Sequence, residues 1–157
     1  MGGAVGLMLY SSDERGLREA SGEVEQLAKR ARTIAILNQT SYALEFREGI
    51  VRLLPLAQAG LSGAAQPNRR FVFASDPVPK SDENREYKFP EGMQLAIRRW
   101  NTDDWLTTAK NSVQVWRFDP DGLCEPISVR LNYHESWAID TFHPLTATIS
   151  DSQLEAR

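Results

Sequence analysis

Between Ser12 and Asn38 the apolar residues Leu17, Ala20, Val24, Leu27, Ala31 and Ile34 recur at alternating steps of three and four. That spacing lays one apolar stripe along one side of an α-helix. Arg18, Glu19, Glu23, Glu25, Lys29, Arg30 and Arg32 fill the positions between, so the other side is wet. No proline interrupts the run, and Gly16 and Gly22 each weaken it by about 1 kcal/mol relative to Ala. The pattern predicts one helix over about 12–38. Everything after Asn38 reads as short strands, so the stripe must be buried against a β-rich body. It spans too few heptads for a sustained coiled-coil seam, which leaves core packing as its reading.

The 157 residues suffice for one domain with a proper core and are too few for two. A net charge of −3 argues against a nucleic-acid binder that works by bulk attraction to phosphate, although a local basic patch stays open. Cys124 is the single cysteine, which excludes an intramolecular disulfide and a cysteine-based zinc cluster. There is no complete signal peptide and no 18-residue apolar span, so the chain as written reads as soluble.

Residues 1–10 are apolar and uncharged and run directly into the charged helix. They are too short to cross a bilayer and lack a basic n-region and a small-residue cleavage site. Two readings follow from chemistry: the remaining end of a membrane helix, or a short buried N-terminal segment. Ser11 and Ser12 are both possible N-caps, Ser11 with Glu14 forming a capping box that would start the helix, and Asn38 would stop it.

Tyr42, Leu44 and Phe46 alternate with Ala43, Glu45 and Arg47, which predicts a half-buried strand. Glu48-Gly49 is a turn and Ile50 to Leu54 the return strand of a hairpin. Pro55 to Asn68 reads as a loop, Phe71 to Phe73 as a short strand, and Ser75 to Glu86, with two prolines and six charges, as a solvated loop. Met93, Leu95 and Ile97 mark another strand, and Asn101 to Asn111 a connection. Val113 to Phe118 and Ile127 to Leu131 read as a hairpin across Asp119-Pro120-Asp121-Gly122, whose proline and glycine suit a type I turn. A last hairpin would pair Trp137 to Asp140 with Leu145 to Ile149, leaving Ser150 to Arg157 as a frayed tail. The outline is α+β: one helix, then about eight antiparallel strands.

No set of residues assembles into an active site. His134 and His143 fall in different elements and match no metal-ligand spacing. Asp103-Asp104 is an adjacent pair whose carboxylates would point apart, a poor base for acid–base work. Asp119, Asp121 and Glu125 imitate a fragment of a calcium loop, but the spacing fails and turn chemistry explains them. Cys124 has no positive neighbour nearer in sequence than Arg130, so nothing marks an activated nucleophile. The pairs Arg69-Arg70 and Arg98-Arg99, the latter beside Trp100, could grip an acidic partner or simply end solvated strands.

The order of elements resembles the type II secretion minor pseudopilins of the GspH family and the related FimT-type pilins. Glu23-Val24-Glu25-Gln26-Leu27-Ala28-Lys29-Arg30-Ala31-Arg32-Thr33-Ile34-Ala35-Ile36 is similar to that family's post-membrane helix, and the likeness runs on into Tyr42-Ala43-Leu44-Glu45-Phe46. Lys88-Phe89-Pro90-Glu91-Gly92-Met93 is similar to its L-P-x-G-V segment, and Phe118 to Pro126 to its F-x-P-D-G hairpin with a following proline. Trp137 to Asp140 falls where the family has a late strand. The family's defining Gly-Phe-Thr-Leu-Leu-Glu-like peptidase site and membrane helix are absent, and Pro144 to Ala147 stand where relatives often have a Thr-Gly pair.

The resemblance implies a long N-terminal helix packed on a β-sandwich of two antiparallel sheets. It makes residues 1–10 the end of a truncated membrane helix and residues 11–157 a single periplasmic domain, with the helix at about 12–38 and the β-body at about 41–149. It implies a structural subunit without catalytic residues, cofactor or metal. That subunit would sit at the tip of a pseudopilus anchored in the inner membrane, in contact with the other minor pseudopilins, the major pseudopilin and exported proteins, with no nucleic acid expected. The isolated domain would be soluble and largely monomeric, with Pro55–Asn68 and Ser75–Glu86 facing partners. The alternatives are a minor type IV pilin engaged in DNA uptake, marked by a continuous basic stripe, and a small periplasmic enzyme or binding module, marked by a deep polar pocket.

Overall fold

A computed structural model describes residues 3–60, 85–109 and 111–156, with side chains from Ser12 onward. The helix, α1, runs from Gly3 to Asn38, 36 residues or about 54 Å. It starts earlier than the capping box proposed, because the backbone is already helical at Ser11. It ends at Asn38 as expected: Gln39 turns left-handed (φ 51°), and the Thr40 N–H donates to the Ala35 carbonyl.

Leu17, Ala20, Val24, Leu27 and Ala31 are buried, and Ile34 is partly buried against the core. Ala28 and Ala35 are buried as well, which widens the stripe and lets the helix lie close to the body. Each buried leucine or valine contributes about 1.5–3 kcal/mol, so the stripe holds the helix down.

Nine strands follow among the described residues. β1 (Tyr42–Arg47), β2 (Ile50–Pro55), β3 (Glu86–Lys88), β4 (Gln94–Arg99), β5 (Leu106–Thr107), β6 (Gln114–Phe118), β7 (Ile127–Tyr133), β8 (Ser136–Phe142) and β9 (Ile149–Glu155) form two antiparallel sheets. Sheet A has the order β3-β2-β1-β6, and sheet B the order β5-β4-β7-β8-β9. The β1–β2 hairpin turns at Glu48-Gly49 as expected, with Arg47 opposite Ile50. β3 and β5 lie where the sequence suggested only loop or connection; both are short and borrow their pairing from longer neighbours. The expected strand at Phe71–Phe73 lies outside the described residues, as does most of the two long loops.

Three expectations need correction. The proposed hairpin of 113–118 with 127–131 does not form, because β6 pairs with β1 in sheet A and β7 with β4 and β8 in sheet B. The turn itself is present: the Gly122 N–H donates to the Asp119 carbonyl (3.0 Å), and Gly122 sits at φ 88°. After one bridge between Phe118 and Cys124 the chain leaves the ladder. Pro126 cannot donate to it, and the Trp116 indole N–H takes the Glu125 carbonyl (2.7 Å), so the strand crosses to the other sheet.

Secondly, residues 150–155 are not a frayed tail. They belong to β9, paired with β8 and held by the Ser152 hydroxyl, which donates to Asp140 Oδ1 (2.7 Å). Leu145 lies in the connecting loop rather than in a strand. Thirdly, β1 is buried on both faces rather than one: Leu44 and Phe46 face the core, while Ala43 and Glu45 are also closed off from solvent.

The core is one cluster shared by α1 and both sheets. Trp116 of sheet A packs edge-on against Phe142 of sheet B (centroids 4.8 Å) and tilted against Phe118 (4.6 Å).

Candidate functional site

The helix touches both sheets, most extensively β1 and β8. Polar contacts fix its height on the body. Asp13 meets His134 Nδ1 (3.1 Å) at the β7–β8 turn. The Ser21 hydroxyl donates to Asp140 Oδ2 (2.5 Å), and Asp140, 2% exposed, takes the Ser152 hydroxyl on its other oxygen. Glu25 accepts the Ile149 N–H (2.7 Å), and Arg32 Nε donates to the Gly122 carbonyl (3.1 Å). Gly122 is doubly constrained: a Cβ there would lie 3.3 Å from both Arg32 and Ile36, on a backbone that disfavours any side chain. Packing holds the helix down, and these pins stop it from sliding.

The residues singled out from the sequence are spent on structure. His134 stacks on Tyr133 and meets Asp13; His143 Nδ1 accepts the Leu145 N–H. Asp119 takes Arg117 and Ser41, Asp121 takes the Leu123 N–H, and Glu125 pairs with Arg99, so these three carboxylates do not converge. Asp103 and Asp104 lie on an exposed loop. Cys124 is buried, and burial pushes its thiol up to about 11 even though Arg32 pulls it down. A thiol held protonated in this way is a poor nucleophile. Arg98 and Arg99 part company, one on each face of β4; Arg99 reaches Glu125 and the Val115 carbonyl. Arg69-Arg70 lies outside the described residues. Among the described residues no three His, Cys, Asp or Glu side chains are grouped to hold a metal. The hollow beside Glu14, Arg15, Arg18 and Glu19 is an open dip on the flank of the helix itself.

Sequence reasoning missed three features. Nothing in the sequence pairs Ser21 with Asp140 or Glu25 with the Ile149 N–H; the placement of β8 and β9 against α1 does. On the face of sheet A opposite Leu44 and Phe46, Glu45 is 1% exposed and accepts from Arg47, from Arg52 (2.9 Å) and from the Gly60 N–H (2.9 Å). Burial alone would raise its pKa; the hydrogen bonds outweigh burial and hold the carboxyl below its ordinary value.

The third feature is a set of exposed apolar side chains. Leu37 is 75% exposed, Trp100 70%, Leu145 54% and Leu123 42%. Leu37 lies at the end of α1, Leu123 adjoins Gly122, which Arg32 of α1 holds, Leu145 follows Pro144, whose carbonyl accepts the Cys124 N–H, and Trp100 follows β4 at the end where Arg99 faces Ile127. The arrangement suits contact with other molecules rather than chemistry. No helix among the described residues is long and apolar enough to cross a membrane. Comparison with known proteins identifies no relative: no family model matches the chain, and neither a curated protein nor a solved structure is significantly similar.

Proposed function

We propose that this chain is a structural minor pseudopilin of a type II secretion system, a filament subunit that acts by binding and carries out no reaction. One observation supports this reading most: a 36-residue helix pinned along two antiparallel sheets, with its first ten residues lying upstream of the first pin at Asp13. That is a stem fixed to a body by packing and polar contacts along its length, the arrangement a filament subunit needs. The exposed side chains of Leu37, Trp100, Leu123 and Leu145 towards the far end of the stem suit contacts at a filament tip. In this reading the stem continues into an inner-membrane anchor, and the body stands in the periplasm.

A DNA-uptake pilin would need a continuous basic stripe. On the helix, Arg15 and Arg18 are interleaved with Glu14 and Glu19, and Arg18 is already paired with Glu14 (2.8 Å).

The test is a pull-down of the other minor pseudopilins of the same organism, with wild type and with variants shortened in Pro55–Asn68 or Ser75–Glu86. Capture of a pseudopilin by wild type and its loss on shortening a loop is the expected result. Equal capture by all removes the loops from the interface, and capture of none overturns the secretion reading.

A further inference from the structure

The outer face of sheet B, the side of the sheet away from the core, carries a row of half-buried arginine and tryptophan side chains. The register aligns them. Ala96 lies opposite Arg130 and Arg98 opposite Ser128, so Arg98 and Arg130 are diagonal neighbours on β4 and β7. Trp105, in the segment leading into β5, lies under the Arg98 guanidinium (4.8 Å), and Trp137 on β8 under that of Arg130 (5.8 Å). The four form one diagonal across the sheet: Trp105, Arg98, Arg130, Trp137. All are half-buried, and Ala96 and Ser128 beneath them are small and covered.

Arg47, Arg52, Arg99 and Arg117 each have a carboxylate within reach. Among the described residues Arg98 and Arg130 have none; Arg130 donates only to Asn132 Oδ1 (3.3 Å). Two like charges at a diagonal separation of roughly 7–8 Å repel rather than stabilise a sheet. A guanidinium held over an indole by cation–π attraction still carries the fork of N–H groups that takes a carboxylate bidentately. The Trp105 and Trp137 indole N–H groups also lack a partner among the described residues.

We propose that this diagonal is a docking face for an extended acidic segment of a partner protein, with carboxylates two residues apart. In an extended strand, residues i and i+2 point the same way about 6.8 Å apart, close to the roughly 7–8 Å that separates diagonal positions such as 98 and 130 on neighbouring strands. A polypeptide fits better than a nucleic acid. The site offers two cations on a chain of net charge −3, and Asp151 and Glu155 on β9 close its far side with negative charge. A phosphate chain would meet that charge after two contacts. The proposal stands on this face alone and holds whether or not the chain is a pseudopilin.

The experiment is fluorescence anisotropy of the 157-residue protein with labelled Gly-Ser-Glu-Val-Glu-Ser-Gly, its Gln-Val-Gln counterpart and oligothymidylate. Arg98→Gln with Arg130→Gln, and separately Trp137→Phe, are compared with wild type after circular dichroism has matched their folds. The expected result is saturable, salt-sensitive binding of the Glu-Val-Glu peptide. The double arginine variant should weaken it at least about tenfold, the loss of one or two bidentate pairs, while the Gln-Val-Gln peptide fails to bind. Trp137→Phe should weaken it less. No binding of the acidic peptide up to millimolar concentration, equal binding by the double variant, or tighter binding of the oligonucleotide would each overturn the assignment.

Discussion

The outer faces of the two sheets use arginine in opposite ways. On sheet A, Arg47 and Arg52 converge on Glu45, a Gly60 N–H adds a further donor, and the carboxylate is closed off from water while the two guanidinium groups stay partly exposed. On sheet B, Arg98 and Arg130 sit over tryptophan rings with no carboxylate partner among the described residues. The same residue type is structural in one place and available in the other. What decides is whether the opposing strand supplies an acid: Arg52 faces Glu45 across β1–β2, whereas Arg98 and Arg130 face Ser128 and Ala96 across β4–β7.

The largest expected effect breaks the closed side. Glu45→Ala leaves two half-covered guanidinium groups without their acid. It should cost about 2–3 kcal/mol, less than the 3–5 of a fully buried pair because Arg47 and Arg52 keep some solvent. Urea unfolding followed by tryptophan fluorescence measures it. A loss no larger than that of an exposed glutamate on α1 would show that the closed cluster stabilises nothing.

A smaller effect comes from pH. The folded Glu45 carboxyl titrates below its ordinary value. Its contribution is therefore fully present above the unfolded pKa, near 4.3, and is lost as pH falls through the folded value. Wild type should lose more stability between neutral pH and the acid side of that range than Glu45→Gln does. Parallel losses in the two proteins, read from urea midpoints at both pH values, would place the acid sensitivity in other carboxylates.

The smallest effect should come from the open side. Arg98→Gln with Arg130→Gln should change stability by no more than about 0.5 kcal/mol, the range of surface substitutions, and relief of the like-charge pair can make the sign favourable. A loss above about 1 kcal/mol would make this face structural after all and erase the contrast.

Some of the molecule was legible in the chain and some was not. The spacing of Leu17, Ala20, Val24, Leu27 and Ala31 determined the helix and its buried side, because 3.6 residues per turn is a local property. Alternation determined β1 and β4, the Glu48-Gly49 turn pointed to β2, and Asp119 to Gly122 determined a turn with β6 before it. None of these requires knowledge of a distant residue. Which strand pairs with which was decided elsewhere. β6 and β7 look like a hairpin in sequence, but Pro126 and the Trp116–Glu125 hydrogen bond send them to different sheets. The last residues look polar and loose, yet pairing with β8 makes them a strand, because a backbone ladder is indifferent to side-chain polarity at a sheet edge.

The helix pins and the arginine diagonal of sheet B belong to this second class. Ser21 meets Asp140 across 119 positions, and Arg98 and Arg130 become neighbours only through the β4–β7 register. The sequence by itself determined the elements, since periodicity, caps and turns act over a few residues. The tertiary structure alone decided the pins and the two arginine faces, since charge pairing depends on which strands lie side by side.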